Sequence, residues 1–263
     1  HEQRGNANKI LGRILNHLDQ GTDIQIVSVN GGSKDNVIAG SSEAVIMAKD
    51  LEKAKAIVNG MEADIKSEFS SDEPNFQVPV SVAEGTEHAL SKEATRKVIF
   101  AMVGTPYGVQ GFSRDLPGIV ETSLNLGIIR TDEESIALMY YLRSSVNSQL
   151  QELKSIFQMW AERLGGSHEE SCEYPAWMYQ KESKIRPLMA EAYKEVTGKD
   201  AVISTVHAGL ECGYWDGKKP GMDIISVGPN LYDVHSTKEK VSKTSISNMW
   251  NWLTELLKEL SEV

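Results

Sequence analysis

The strongest constraint on the fold is an order of hydrophobic patterns that occurs twice in the first 170 residues. Each copy predicts a helix from apolar residues at helical spacing, then two strands, a second helix and a final strand. In the first copy the apolar residues of the final strand alternate with polar ones. This repeated order favours a duplicated αββαβ arrangement in two layers, with helices on one face of antiparallel sheet.

The two copies follow each other along the chain. The first predicts helix, strand, strand, helix and strand at 6–18, 22–29, 41–48, 51–65 and 75–82. The second predicts them at 94–102, 119–129, 135–143, 150–164 and 168–174, and the last of these has the weakest pattern. We therefore assign residues 1–170 to one α+β domain.

Residues 171–263 follow a different pattern. They predict helix, strand, strand and helix at 185–196, 201–206, 222–227 and 246–260, which is typical of an α/β domain. Apolar strands such as "AVISTV" need neighbours on both sides, and two strands make a poor sheet alone. The chain also opens at His1 without a methionine, so we expect the missing partner strands to precede His1.

Composition excludes several classes of protein. The 263 residues carry 27 basic and 37 acidic side chains, and the net charge of -10 repels nucleic-acid phosphates. No apolar run approaches the ~18–20 residues of a membrane span. We therefore expect no nucleic-acid partner and no membrane. Two cysteines are too few for a disulfide framework and fit a reducing compartment, which predicts a cytoplasmic protein.

The segment "HAGLECG", residues 207–213, follows a predicted strand, the position at which α/β proteins place ligands. The residues alone leave three interpretations open. Cys212 is a nucleophile with His207 as its base, or Cys212 is a small buried packing residue, or the glycine-bearing loop holds a substrate against its backbone.

His235 lies in a second loop after a predicted strand, "GPNLYDVHSTKEKV". A neutral imidazole at such a position is a good zinc ligand, although a structural histidine fits equally well. A catalytic zinc needs about three protein ligands. The other histidines form no H-E-x-x-H pair, and the "HEESCE" cluster is typical of a solvated helix boundary, so any metal site is incomplete in this chain.

Two further polar residues are candidates for substrate contacts. Arg143 ends a predicted strand, and arginine binds carboxylates through two parallel hydrogen bonds. Asn36 lies in the turn "GGSKDNVI". On spacing alone, an exposed strand-end arginine and a turn-forming asparagine are the simpler interpretations.

Seven segments together resemble a known family. They are "RGNANKILGRIL", "GGSKDNVI", "GIVETSLNLGII", "LRSSVNS", "EYPAW", "VHAGLECGYW" and "VGPNLYDVHSTKEKV". In this order they are similar to the aminoacyl-histidine dipeptidases (Xaa-His dipeptidases) of the M20 zinc metallopeptidases. The resemblance implies that residues 1–170 are the lid, or dimerisation, domain. Residues 171–263 then correspond to the C-terminal part of an incomplete zinc-peptidase α/β catalytic domain into which the lid is inserted.

The resemblance also implies site residues. His235 corresponds to the last ligand of a site for two zinc ions, and Gly209, Asn36 and Arg143 correspond to residues that contact the substrate. His207, Glu211 and Cys212 then shape the loop. The family's other metal ligands, its catalytic glutamate and a lid histidine have no counterpart here, so the resemblance assigns no catalytic residue to this chain. The surroundings "DVHST" also depart from the family's usual pattern.

These implications lead to two hypotheses of different classes. In the first, the complete protein is a dipeptidase that hydrolyses Xaa-His dipeptides with a metal-activated water, works as a homodimer through the lid, and is inactive as this chain alone. In the second, the chain is a non-catalytic dimerisation or binding module. A cysteine hydrolase that uses Cys212 is a third and weaker alternative.

Overall fold

A computed structural model describes residues 4–71, 73–85, 88–205, 210–234 and 238–261. The chain divides into two compact units. The first unit comprises His1–Ser113, Val120–Ser144 and Ser148–Ser171. The second unit comprises Arg114–Ile119, Ser145–Asn147 and Cys172–Val263.

The first unit combines four helices with one antiparallel sheet in its described residues. In chain order its elements are α1 (Ala7–Thr22), β1 (Ile24–Gly31), β2 (Ser42–Ala48), α2 (Leu51–Glu68), α3 (Lys92–Gly104), β3 (Gly108–Phe112), β4 (Val120–Thr131), β5 (Ile136–Ser144) and α4 (Asn147–Leu164). The eight predicted helices and strands from α1 to α4, other than the strand at 75–82, are all present within a few residues of their expected bounds.

The sheet is organised around β4, its longest strand. β5 pairs with β4 from Thr122 to Thr131, and β3 pairs with the beginning of β4 on the other side. β1 pairs with β2 and meets β4 through Gly31 and Ile129. Side chains extend that last contact, since the Thr131 hydroxyl accepts from the Val29 N–H and donates to the Val29 carbonyl, both at 2.8 Å.

The core of the first unit lies between the sheet and the helices. Alternate residues of β1 and β4 face it, as expected for a sheet with one covered face. Its largest fully buried aliphatic side chains include Leu15, Ile26, Ile65, Met102 and Leu126. Burial of each contributes about 1.5–3 kcal/mol, which makes this apolar layer the main stabilising feature of the unit.

The strand predicted to end each copy is not formed. In the segment 75–82, Phe76 and Val78 pack on the core while Val80 and Val82 are exposed, and the structure assigns no strand to it. The alternation is therefore that of an extended segment with one apolar side resting on the core. Residues 168–174 form no strand either, and the short strand β3 was not predicted.

The second unit is smaller and mostly helical in its described residues. Its elements are α5 (Ile185–Thr197), α6 (Glu211–Lys218), β6 (Leu231–Tyr232), β7 (Lys240–Val241) and α7 (Lys243–Ser261). Met189 and Ala192 of α5 pack against Leu256 of α7, and the Trp252 indole donates to the Met189 carbonyl at 2.9 Å. Both long helices agree with the prediction.

The strand predictions in the second unit were wrong for the described residues. Neither 201–205 nor 222–227 forms a strand, and Val202 is 91% exposed. A strand needs a hydrogen-bonded neighbour, and an apolar run supplies none by itself. The predicted loop at 207–213 is also partly helical, because α6 begins at Glu211 and contains Cys212.

None of the helices in the described ranges combines the length and apolar character needed to cross a bilayer.

Candidate functional site

Asn36 lies on an exposed turn between β1 and β2. The Asp35 carboxylate accepts a hydrogen bond from the backbone N–H of the next residue, Asn36, at 2.8 Å. The next two residues, Val37 and Ile38, are also exposed. The Asn36 amide is therefore exposed beside two apolar side chains.

The side chain of Asn125 in β4 is hydrogen-bonded to the backbone of this turn. Its Nδ2 donates to the carbonyl oxygens of Asp35 at 3.0 Å and of Val37 at 2.9 Å, which are the two carbonyls that flank Asn36. Asn36 is thus carried by a loop whose backbone is hydrogen-bonded to the central strand of the sheet.

Glycines allow the loop to approach β4 closely. A Cβ on Gly127 would lie 2.6 Å from the Asp35 carbonyl carbon, well inside van der Waals contact. Gly32 has a φ of 72°, and its Cβ would lie 2.9 Å from the Gly127 carbonyl carbon. Both positions therefore require the absence of a side chain.

The start of α1 joins the same cluster. The Asn6 side chain accepts from the N–H groups of Asn8 and Lys9, which caps the helix, and its Nδ2 donates to the Asn125 Oδ1 at 3.1 Å. The buried Asn8 amide donates to the Leu126 carbonyl at 3.2 Å. The motifs "RGNAN", "GGSKDN" and "SLNLG" are therefore parts of one hydrogen-bonded cluster.

Arg143 lies on the same face of the sheet as Asn125. In the β4–β5 register Asn125 is opposite Tyr141, and Ser123 is opposite Arg143. Leu124 and Leu126 are buried, and Leu126 belongs to the core that the helices cover. Asn125 and its partners therefore project from the other face of the sheet. The Arg143 guanidinium lies over the Tyr141 ring, with Cζ 4.7 Å from the ring centroid. Arg143 is thus opposite Ser123, which lies two residues, or roughly 7 Å, along β4 from Asn125, the residue that holds the Asn36 turn.

Beside this hydrogen-bonded cluster lies Lys9, whose pKa is shifted. The Lys9 Nζ donates to the carbonyls of Val103 at 3.2 Å and Thr105 at 3.1 Å, near the end of α3. Burial lowers the pKa of the Lys9 ammonium to about 8. Burial also raises the pKa of the nearby Tyr107 hydroxyl, against the effect of its hydrogen bond with Asn6.

The structure describes only some of the other predicted site residues. Gly209 and His235, together with His207, lie outside the described residues. Glu211 and Cys212 begin α6, where Gly213 approaches the Pro175 carbonyl so closely that its Cβ would lie 2.6 Å from that oxygen. Among residues 4–71, 73–85, 88–205, 210–234 and 238–261, no three histidine, cysteine or acidic side chains are grouped closely enough to hold a metal ion.

Sequence reasoning did not identify Asn6, Asn125 or Gly127 as parts of this site. Their signal was present, because all three lie inside the segments on which the family resemblance rests. Asn125 is also a polar residue between two core-facing leucines, which marks it as a residue of the opposite face. Its bonding partners, however, are 88 and 90 residues away in sequence.

Comparisons with known proteins agree with the fold and the motifs. Residues 1–73 match the peptidase dimerisation domain of the M20 family. The chain is 31% identical over 262 residues to the cytosol non-specific dipeptidase of Escherichia coli (strain K12), a match that covers 99% of this chain and 54% of that protein. The chain therefore spans about half the length of this relative.

A solved structure gives the same result. The aminoacylhistidine dipeptidase of Vibrio alginolyticus matches with a TM-score of 0.89 and 30% identity, over 98% of this chain and 53% of that one. The predicted α/β class is confirmed by this match and by the mixed helices and antiparallel sheet. The resemblance inferred from the seven motifs is likewise confirmed: residues 1–73 match the dimerisation domain of M20 peptidases, and nearly the whole chain is similar to two dipeptidases.

Proposed function

We propose that this chain is the substrate-binding part of a metal-dependent dipeptidase that hydrolyses Xaa-His dipeptides. The observation that carries the proposal is the common sheet face of Asn125, which holds the Asn36 turn, and Arg143, in a chain whose relatives are dipeptidases. A dipeptide offers a carboxylate and amide groups within a few ångströms of each other, which suits a guanidinium and an amide on one surface.

Arg143 binds the terminal carboxylate of the dipeptide in this proposal. Its guanidinium stacks on Tyr141, which restricts its orientation before substrate arrives. A planar guanidinium forms two parallel hydrogen bonds with a carboxylate, and lysine cannot reproduce that geometry. The Asn36 amide, exposed on its turn, then contacts a polar group of the same substrate.

The proposed cofactor is a pair of zinc ions with His235 as one ligand. Such ions supply a bound water of lowered pKa as the nucleophile. The described residues do not form a site of this kind, because none of them group as a set of three ligands. The role of this chain in the proposal is therefore to bind and orient substrate, together with Gly209, and the metal chemistry is a property of the complete enzyme.

The assembly and the location belong to the same proposal. The match of residues 1–73 to a peptidase dimerisation domain supports a homodimer formed through the first unit. The name of the Escherichia coli relative, a cytosol dipeptidase, and the two free cysteines support a cytoplasmic enzyme.

The test is dipeptide hydrolysis by the full-length gene product. We expect hydrolysis of Xaa-His dipeptides that is lost on chelation and restored by zinc. Arg143→Ala and Arg143→Lys should both raise KM by at least about tenfold, because each removes the bidentate bond. Arg163→Ala, an exposed arginine on α4, is the matched control and should leave KM unchanged.

The 263-residue chain alone should hydrolyse no dipeptide. Turnover by this chain, free of full-length protein, would contradict the proposed division of roles. A full-length gene product that forms a dimer and has no peptidase activity under any metal condition would instead support the non-catalytic binding module, which the dimerisation-domain match favours.

A further inference from the structure

Asn125 connects three segments that are far apart in sequence. Its Oδ1 accepts from the Asn6 Nδ2 at 3.1 Å, and its Nδ2 donates to the Asp35 carbonyl at 3.0 Å and the Val37 carbonyl at 2.9 Å. A side-chain amide has two N–H donors, and both are used here. Turning the amide over would place its oxygen against two carbonyl oxygens, so the Asn125 side chain has a single favourable orientation.

The two bonds from Nδ2 enclose one residue. Asp35 and Val37 are the neighbours of Asn36, and the Asp35 carboxylate also accepts from the Asn36 N–H at 2.8 Å. The backbone of Asn36 is therefore held at its N–H and on both sides. The two carbonyls point to Asn125, while the Asn36 side chain stays exposed.

We infer that Asn125 is a positioning residue, which acts on substrate through Asn36. This inference rests on the proposed function, in which Asn36 contacts the dipeptide. Asn125 is opposite Tyr141, and Tyr141 in turn lies under the guanidinium of Arg143. The cross-strand pair of Asn125 and Tyr141 thus supports both proposed substrate contacts. Asn125 holds the turn that carries Asn36, and Tyr141 stacks on Arg143.

The most direct variant is Asn125→Asp. Aspartate has the same shape and still accepts from Asn6, but it cannot donate to the two carbonyls and repels them. We expect faster amide hydrogen exchange at residues 35–38 and a decrease in kcat/KM for an Xaa-His dipeptide of about tenfold or more, since displaced substrate contacts are costly. Asn125→Ala removes the same donors without adding charge, and it replaces Asn125→Asp if that variant does not fold.

Gln25→Glu provides a matched control. Gln25 is also a surface amide on the sheet, and its Nε2 donates to the Leu90 carbonyl at 2.8 Å, away from the Asn36 turn. This change is likewise isosteric, adds one negative charge and removes one bond to a carbonyl. It should leave both the exchange at 35–38 and kcat/KM unchanged.

A double-variant cycle separates positioning from a general structural effect. If Asn125 acts through Asn36, the loss caused by Asn125→Asp should largely vanish when Asn36 is already alanine. A merely structural role would reduce kcat/KM by the same factor in both backgrounds. Thermal unfolding of each variant checks that the compared proteins are folded.

The outcomes are distinct. Unchanged exchange at 35–38 in Asn125→Asp, or two losses that simply multiply, would overturn the inference while the proposed function stands. An Asn36→Ala variant with full activity would refute the substrate role of Asn36 and the inference together. A gene product with no dipeptide hydrolysis at all would refute the proposed function, and the exchange experiment would then decide whether Asn125 holds the turn.

Discussion

Gly127 and Asp35 are 92 residues apart in sequence, yet Gly127 has no room for a side chain because the Asp35 backbone occupies that space. The Asn36 turn therefore depends on a glycine in β4 as well as on its own residues. Gly127→Ala should displace the turn from β4 and lengthen the two bonds from Asn125. We expect a loss of about 1–3 kcal/mol in the free energy of unfolding, as for other overpacked sites.

Chemical denaturation of Gly127→Ala measures this loss. Gly60→Ala is a suitable comparison, because a Cβ on Gly60 meets no atom within 4 Å and alanine favours its helix α2. That variant should be neutral or slightly stabilising. Equal stability of Gly127→Ala and the unsubstituted chain would show that the turn moves away at no cost.

Asp223 stabilises the start of α5 in the second unit. Its carboxylate accepts from the N–H groups of Lys184 at 2.6 Å and Ile185 at 3.0 Å and from the Ser183 hydroxyl at 2.8 Å. Asp223→Ala leaves the first N–H groups of α5 without this acceptor. We expect a loss of about 1–2 kcal/mol in the free energy of unfolding. Asp200→Ala, a change at an exposed aspartate that pairs with Lys194, should have almost no effect.

The Asp223 carboxylate should also make the stability of the protein depend on pH under acidic conditions. Burial by itself would raise the pKa of Asp223, but its three hydrogen-bond donors and the nearby Arg186 lower it below the usual value. A lowered pKa contributes stability that is present above the unfolded-state pKa and lost as the pH falls through the folded-state value. Denaturation of the unsubstituted chain and Asp223→Ala should therefore converge under acidic conditions. A constant difference between pH 7 and the lower limit of folding would contradict this cause.

Lys9 predicts a dependence of the same sign in the alkaline range. Its folded-state pKa of about 8 lies below the unfolded value of 10.5, so the unfolded chain binds more protons between these values. The contribution of Lys9 to stability should therefore rise from about pH 8 to about pH 10.5. Comparison of urea midpoints for the unsubstituted chain and Lys9→Met across this range isolates the effect. Parallel curves for the two proteins would show that Lys9 titrates normally.

We predict that the phenol of Tyr140 loses its proton at an unusually high pH. Its hydroxyl is hydrogen-bonded to the Thr105 hydroxyl, and burial raises the pKa of Tyr140 to about 12, against the effect of that bond. A raised pKa contributes stability below pH 10 that is lost as the pH rises through the folded value. Tyr140→Phe should cost about 1 kcal/mol at neutral pH and remove the last phase from an absorbance titration of the folded tyrosines. Removal of an earlier phase would show that the phenol is accessible to solvent.

Much of the architecture follows from local patterns in the sequence. The stripes that include Leu15, Ile65 and Met102 predicted α1, α2 and α3, because residues three and four apart share one helix face. Short apolar runs bounded by turn residues likewise predicted β1, β2, β4 and β5. The seven motifs also predicted the similarity to dipeptidases that the comparisons confirm.

Tertiary structure decided what local patterns could not. Phe76 and Val80 lie in the same alternating run, but only Phe76 rests on the core, because pairing depends on a neighbouring strand that the run does not encode. Asn36 was visible as a turn residue, whereas its support by Asn125 and Gly127 required β4 to be folded beside it. The sequence by itself determined the six long helices and four of the five strands in the sheet of the first unit, since these depend on residues close together in the chain. The tertiary structure alone decided which strands pair and which side chains hold the Asn36 turn, because those contacts join residues about 90 positions apart.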